Sequence, residues 1–364
     1  MRLGTCIALE LAVVVGAFGG VYLGVGHAID AAGDYFTTHE ASAATWSGPA
    51  RSPERLPGAT LAIALPEPAP IDNVFGAPDR VLLAPIGAAP VSRVRPNRGG
   101  SSLSLSIEFA NGSRGSFKPQ QVFRQSEPRR EVAAYRIDRL LGIGHVPPSK
   151  PIAFALADLL AVTDPDVRTY TTSRIEKEAI PFDGELRGMI SWWIPEIREA
   201  TIGGHQMHET AAQDQLAQYL QIGAQIPDSA RGLVEQFATC ILFDVIIDNA
   251  DRWSGANTKV SPDHATLYFM DNTMSFSVYT HGREHNLKPL LRMQVFPRGL
   301  IQRLRELTTD SLRAALALPS DPIGLGPLLT DEELSAVLAR RDYVVAHVDR
   351  LIERYGEDAV LALP

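Results

Sequence analysis

Cysteine is scarce in this chain of 364 residues, which contains only Cys6 and Cys240. Cys6 lies in an apolar N-terminal segment and Cys240 in an apolar run that is typical of a core helix, so we expect no intrachain disulfide. A low cysteine content is usual in reducing compartments, but exported proteins can also lack disulfides. The cysteine count therefore leaves the location of the protein open.

Blocks of Lys and Arg are also missing from the sequence, and the net charge is -8. Proteins that bind nucleic acids neutralise the phosphate backbone with clustered cations, so nucleic acid is not an expected partner. Hydrophobic residues make up 45% of the chain, which is ordinary for a globular protein. The chain is therefore expected to bury a core of its own.

A long segment without charge, residues 11–26, lies near the N-terminus and follows Arg2. This pattern predicts a signal peptide or a membrane anchor over residues 1–29, although Glu10 interrupts the apolar run. A buried helix of a cytosolic protein is the alternative. We expect an exported protein, periplasmic or extracellular, that contacts a membrane only through this segment.

Residues 30–75 are rich in Pro, Ala, Ser and Thr and lack a sustained period, which predicts a linker. Beyond it, apolar side chains alternate with serines over residues 101–109, and Asn111-Gly112 then turns the chain toward Lys118. These features predict a β-hairpin that ends on the lysine. Further predicted elements are helices at 131–141, 233–247, 300–318 and 333–355 and a strand at 188–195.

Lys118 ends a predicted strand, and a buried ammonium needs an anionic partner because an unpaired buried charge costs several kcal/mol. Glu131, at the start of the next helix, is the partner that we predict, and it could also reach a metal ion. Glu127 is the nearby rival. Taken singly, each of these residues could equally be a solvated surface charge.

Two acidic residues occur later in the chain, Asp251 just beyond a predicted apolar helix and Asp271 directly after an apolar run. Asp251 follows the predicted helix at 233–247 and could act as a base or as an orienting acceptor for a hydroxyl, with Arg252 holding the loop. Asp271 follows a predicted strand, where a cation would offset its burial, and Asn257 could share a Mg²⁺ or Mn²⁺ ion with it. Together with Lys118, this set indicates a site for phosphoryl transfer.

These residues and their neighbours resemble the atypical secretory-pathway kinases, the group that contains the Golgi casein kinase, a xylosyl kinase and the Four-jointed kinase. The resemblance covers roughly residues 95–315. Its motifs are Asn-Gly-Ser-Arg-Gly-Ser-Phe-Lys-Pro at 111–119, Glu-Val-Ala-Ala-Tyr at 131–135, the strand at 188–195, Asp251-Arg252 and Phe-Met-Asp-Asn at 269–272. The segments at 286–291 and 295–298 look most like Four-jointed.

The resemblance implies an α+β, protein-kinase-like fold with a β-rich N-terminal lobe at 76–196 and a mainly helical C-terminal lobe at 197–364. It places Lys118 on the nucleotide phosphates, Glu131 near the lysine and the metal, Asp251 in catalysis and Asp271 on the metal. The adenine hinge would consist of Trp192, Trp193, Ile194 and Pro195. The cysteines that brace animal relatives are missing, which suggests a bacterial-type version.

The sequence thus predicts an extracytoplasmic kinase that transfers the γ-phosphoryl group of ATP, with Mg²⁺ or Mn²⁺, to a hydroxyl of a protein or a glycan. Two alternatives stay open. One is a nucleotide-binding pseudokinase or scaffold, since a protein can keep a fold after losing its catalytic activity. The other is a cytosolic kinase of the phosphoinositide or toxin type.

Overall fold

The computed structural model describes residues 61–62, 73–97, 102–123, 125–253, 257–318, 321 and 323–364. The predicted signal peptide or anchor at 1–29 and most of the predicted linker at 30–75 lie outside these residues. Within the described ranges, no helix is long and apolar enough to span a membrane.

The N-terminal lobe is built on a six-stranded antiparallel sheet with the strand order β1-β5-β6-β4-β3-β2. The strands are β1 (Leu61–Ala62), β2 (Val91–Pro96), β3 (Leu105–Phe109), β4 (Arg114–Pro119), β5 (Ser149–Ala155) and β6 (Glu185–Trp192). The predicted linker thus contributes β1, which pairs with β5. The apolar positions of β3 join a buried cluster on one face of the sheet, as their alternation predicts.

Two glycines shape this sheet for different reasons. Gly112 has φ +81° in the turn between β3 and β4, where glycine carries no steric penalty, and the predicted hairpin is confirmed. Gly188 lies on β6 directly beside β4, and a Cβ there would be 2.1 Å from the carbonyl oxygen of Lys118. The close approach of these two strands therefore depends on the missing side chain.

Helices cover the sheet and its ends: α1 (Asp79–Leu83), α2 (Pro128–Leu140), α3 (Leu156–Ala161) and α4 (Arg168–Glu178). Helix α2 begins three residues before its predicted start, with a proline in its first turn, where the missing N–H of proline costs nothing. It packs against β5 and β6. The buried face of α2 carries Glu131 toward the rest of the molecule.

The C-terminal lobe is mainly helical, with α5 (Thr210–Tyr219), α6 (Asp228–Ile247), α7 (Glu284–Leu291), α8 (Arg298–Glu306), α9 (Thr309–Leu316), α10 (Asp331–Tyr355) and α11 (Glu357–Val360). Its short strands are β7 (Arg198–Glu199), β8 (Thr201–Ile202), β9 (His205–Gln206), β10 (Lys259–Val260) and β11 (Leu267–Tyr268). The apolar helix α6 forms the centre of this core. The single helix predicted at 300–318 is divided in two, because Thr308 caps α9 with its side chain.

Candidate active site

A cavity of about 560 Å³ lies between the sheet and the C-terminal lobe. Its size is within the ~300–1,000 Å³ that is usual for small-molecule sites. Its walls include Arg95, Asn97, Ser104, Ser106, Arg114, Ser116, Lys118, Glu131, Trp192, Trp193, Ile194, Pro195, Asn257, Lys259, Met270 and Asp271. Apart from Asp251 and the buried Arg252, every residue that the sequence placed in the site therefore lines one cavity.

Lys118 lies near the end of β4 and is 7% exposed. Its ammonium group forms an ion pair with Asp271 and lies 3.4 Å from Oγ1 of Thr273. The two residues of this pair are 153 positions apart in the chain. The fold thus brings a cation from the sheet to a carboxylate from the C-terminal lobe.

Glu131 is buried on α2 and accepts two hydrogen bonds from Asn272. Its Oε2 accepts from the backbone N–H at 2.6 Å, and its Oε1 accepts from the side-chain amide at 3.0 Å. Burial raises the pKa of Glu131, and the nearby charge of Lys118 opposes that rise.

The direct ion pair that we predicted between Lys118 and Glu131 is wrong. Each oxygen of Glu131 accepts a hydrogen bond from Asn272, and the ammonium group of Lys118 pairs with Asp271 instead. Glu127, the rival partner, precedes α2 and lies 3.7 Å from the guanidinium of Arg129.

Asp271 adopts φ 57°, a left-handed conformation that is uncommon for a residue other than glycine. Such conformations persist where the surrounding structure fixes them, and they cluster at functional sites. Burial by itself would raise the pKa of Asp271, but the charge of Lys118 and hydrogen bonds from Lys118 and Thr273 outweigh it and lower the pKa. The carboxylate is therefore held in its ionised form beside the cavity.

Arg252, which we predicted to hold the loop, lies inside the protein. Its guanidinium is buried and donates to the carboxylate of Asp244 on α6 at 3.1 to 3.3 Å. It also donates to Oδ1 of Asn272 at 2.8 Å and to the carbonyl oxygen of Met270. One side chain thereby fixes helix α6 and the Asp271 segment to the Asp251 loop.

Asp251 is half-buried and is positioned by two asparagines. Its backbone N–H donates to Oδ1 of Asn249 at 2.9 Å, and its Oδ2 accepts from the amide of Asn257 at 2.6 Å. Because Asn257 also lines the cavity, the arrangement connects Asp251 to its edge. A carboxylate oriented in this way can accept a proton or orient a hydroxyl.

The predicted hinge begins at Trp192, the last residue of β6, and forms one wall of the cavity. The backbone N–H of Trp193 donates to the carbonyl oxygen of Arg114 at 3.3 Å, and the guanidinium carbon of Arg114 lies 3.7 Å from the centroid of the Trp193 ring. A cation over an indole is a favourable contact. It anchors the wall to β4.

Asn272, Thr273 and Asp244 are residues of the site to which the sequence analysis gave no role. Asn272 links Glu131, Asn249 and Arg252, and Thr273 contacts both members of the Lys118–Asp271 pair. The position of Asn272 next to Asp271 was an available signal. For Asp244 the sequence offered no such signal, because the partner of an acidic residue inside an apolar helix is identified only from the structure.

Comparison with known proteins supports the same relationship. Residues 217–360 match the family model described as Golgi casein kinase, C-terminal, Fam20. The chain is 27% identical over 299 residues to the human glycosaminoglycan xylosylkinase, covering 72% of each protein. It is 21% identical to the human extracellular serine/threonine protein kinase FAM20C, covering 77% of this chain and 55% of that protein.

A solved structure has the same fold. The crystal structure of the Golgi casein kinase with Mn/ADP bound superposes with a TM-score of 0.59 and 15% sequence identity, covering 78% of each chain. The predicted two-lobed, α+β, kinase-like fold is therefore confirmed. In fold and in sequence, the chain is similar to the atypical secretory-pathway kinases, the group of the Golgi casein kinase.

Proposed function

We propose that the protein is a kinase that transfers the γ-phosphoryl group of ATP to a hydroxyl of a protein or a glycan. The observation that carries the proposal is the convergence of Lys118, Glu131, Asn257 and Asp271 on one cavity beside the wall at 192–195. Phosphoryl transfer depends mainly on positioning and charge neutralisation, and these groups provide a cation and oxygen ligands. The solved structure with Mn/ADP supports this assignment by analogy.

A divalent cation fits the donor set. Asp271 and Glu131 provide carboxylate oxygens and Asn257 an amide oxygen, which are the ligands that Mg²⁺ and Mn²⁺ prefer. No group of three His, Cys, Asp or Glu side chains suited to a metal occurs in the described part of the chain. Mg²⁺ in kinases is commonly held by one or two carboxylates together with the phosphates of the nucleotide, so two carboxylates are enough. The ion would neutralise phosphate charge during transfer.

The chain's own groups have distinct roles in this proposal. Lys118 holds the phosphates, Asp251 orients and deprotonates the acceptor hydroxyl, and Arg252 fixes the loop that carries Asp251. Trp192, Trp193, Ile194 and Pro195 hold the adenine. Residues 76–196 would then cover the nucleotide, and residues 197–364 would carry the catalytic loop.

We also propose that the kinase acts outside the cytoplasm, with residues 1–29 as its signal peptide or anchor and 30–75 as a linker. Two relatives, an extracellular serine/threonine protein kinase and a glycosaminoglycan xylosylkinase, support this location. A reporter enzyme that works only after export, fused after residue 75, should be active. Activity only in a cytoplasmic reporter would contradict the proposed location and would leave the proposed chemistry intact.

The catalytic proposal is tested with purified protein, ATP and Mn²⁺, with transfer to peptides and oligosaccharides followed by mass spectrometry. We expect Asp271→Asn, which keeps the shape of the side chain and removes its charge, to lower kcat by about 100-fold or more. Asp263→Asn, which changes an acidic residue in the turn between β10 and β11, is the matched control and should keep full activity. Equal activity of Asp271→Asn and the wild type would refute the assignment.

Binding and turnover separate the kinase from a pseudokinase. A ligand stabilises only the state that it binds, so ATP with Mn²⁺ should raise the Tm of the wild type. Stabilisation without phosphorylation of any acceptor, and without ATP hydrolysis, would favour the scaffold.

A further inference from the structure

The half-buried ring of Phe75 contacts two aromatic side chains, one of which lines the candidate active site. Its centroid lies 5.7 Å from that of Trp192, with an interplanar angle of 66°, and 5.8 Å from that of Tyr268, with an angle of 18°. Aromatic pairs prefer edge-to-face or offset-stacked arrangements with centroids about 4.5–7 Å apart. Phe75 therefore packs against the end of β6 on one side and against β11 of the C-terminal lobe on the other.

Trp192 is the first residue of the wall at 192–195, which is proposed to hold the adenine, and it lines the cavity. We propose that Phe75 is a positioning residue for the nucleotide, because it holds the indole of Trp192 in the orientation that receives the adenine. Tyr268 stacks on Phe75 and supports it from the C-terminal lobe. This inference rests on the proposed function and adds to that site a residue that acts through another one.

A turn at residues 73–79 fixes the backbone of Phe75. The side-chain oxygen of Asn73 accepts a hydrogen bond from the N–H of Phe75 at 2.8 Å. The side-chain amide of Asn73 donates to the carbonyl oxygen of Ala77 at 2.9 Å and to Oδ1 of Asp79 at 3.0 Å. Asparagine commonly closes a turn in this way. The direction in which the ring of Phe75 leaves the chain is therefore set by specific hydrogen bonds.

Asp79 attaches this turn to helix α2. Its carboxylate accepts hydrogen bonds from the guanidinium of Arg139 at 2.8 and 3.0 Å and from the hydroxyl of Tyr135 at 2.9 Å. The side chain of Arg139 is fully buried, and hydrogen bonds between ionised groups are among the strong ones. Since α2 also carries Glu131, Phe75 projects toward the proposed adenine wall from a turn that is fixed to the core of the site.

The expected effect on binding follows from the orientation of Trp192. Without the ring of Phe75, the indole of Trp192 loses a neighbour and can occupy other orientations. The apparent affinity for a ligand falls by the fraction of molecules that are competent to bind it. If the receptive orientation is occupied about a tenth of the time, the Kd for the nucleotide rises about tenfold.

The test measures the Kd for ADP with Mn²⁺ by calorimetry, below the Tm of every variant, and the KM for ATP in the transfer assay. We expect Phe75→Ala to raise both by roughly tenfold and to change kcat by less than about twofold, since the reacting groups are unaltered. Phe75→Tyr keeps the ring and should bind ADP as the wild type does.

Phe75→Leu keeps apolar bulk at this position and removes the aromatic ring. It should raise the Kd for ADP by about threefold, and it decides the question if the alanine variant fails to fold.

Tyr343→Ala is the matched control, because Tyr343 is a half-buried aromatic residue of α10 that packs against the core of the C-terminal lobe. Its removal should lower the Tm and leave the Kd for ADP unchanged. A purely structural role of Phe75 would give the same result as this control, a lower Tm without a change in the Kd.

Two results would overturn the inference: a Kd for ADP that neither Phe75→Ala nor Phe75→Leu changes, or a Phe75→Tyr variant that binds ADP as weakly as the alanine variant. In both cases phosphoryl transfer is still observed, so the proposed function survives. Absence of transfer by the wild type, together with a Kd for ADP that Phe75→Ala raises and Phe75→Tyr retains, would refute the kinase and keep the role of Phe75 in nucleotide binding.

Discussion

Arg252 shows how much of this site depends on a single buried side chain. It is 1% exposed, and its guanidinium is enclosed by Asp244, Asn272 and the carbonyl oxygen of Met270. Burial raises the pKa of Asp244, and the charge of Arg252 opposes that rise. Each charge therefore depends on the other to remain inside the protein.

Removing this cation should strongly destabilise the protein. We expect Arg252→Ala to lower the free energy of unfolding by about 3–5 kcal/mol, since Asp244 would remain buried without its partner. Urea unfolding followed by circular dichroism measures the loss. Arg231→Ala, which breaks an exposed pair with Asp228 at 3.3 Å, is the control and should cost less than about 1 kcal/mol. Equal losses in the two variants would argue against the buried pair.

At the scale of elements, the contact between β4 and β6 positions Lys118. Residues Lys118 and Pro119 pair with Met189 and Gly188, and a side chain at Gly188 would overlap the backbone of β4. The position of the lysine thus depends on how closely the neighbouring strand can approach.

Gly188→Ala should push the two strands apart. We expect a loss of stability of about 1–3 kcal/mol, as for other overpacked interiors, and a lower kcat because Lys118 moves. Thermal unfolding and steady-state kinetics measure the two effects. Gly232→Ala on α6 is the matched control: an added Cβ meets no atom within 4 Å, so it should stabilise the helix by roughly 0.5–1 kcal/mol. A Gly188→Ala variant as stable and active as the wild type would contradict this account.

Local patterns predicted the elements that bear the site. The alternation of apolar residues with serines predicted the hairpin that ends near Lys118. The helical spacing of apolar residues predicted helix α6 before Asp251. The sequence did not give the partner of Lys118, because that choice depends on the left-handed backbone of Asp271 and on the amide of Asn272. Which polar groups pair depends on the folded structure, and the periodicity of the sequence does not predict it.

At the scale of the whole molecule, the two lobes are tied together through Glu333. This residue is 3% exposed at the start of α10, and its carboxylate accepts hydrogen bonds from Arg129 and Arg130 of α2 at 2.7 to 3.2 Å. A second contact joins the guanidinium of Arg136 to the carbonyl oxygen of Ala315 at 2.6 Å. Because α2 carries Glu131, the C-terminal helices help to fix one wall of the candidate active site.

Glu333→Gln isolates the contribution of this charge, because glutamine can still complete the capping box with Thr330. At pH 7 we expect the variant to lose about 1–3 kcal/mol of stability and to show a lower kcat, as α2 shifts.

The stability that Glu333→Gln loses should depend on pH. Burial by itself would raise the pKa of Glu333, but Arg129 and Arg130 outweigh it and lower the pKa below 4.5. A lowered carboxyl pKa stabilises the folded state above the unfolded pKa, and this contribution is lost as the pH falls through the folded value. The difference between wild type and Glu333→Gln in urea unfolding should therefore be constant from pH 7 to about pH 5 and shrink below pH 4. A difference that stays constant down to pH 2 would show that the charge of Glu333 does not hold the lobes together.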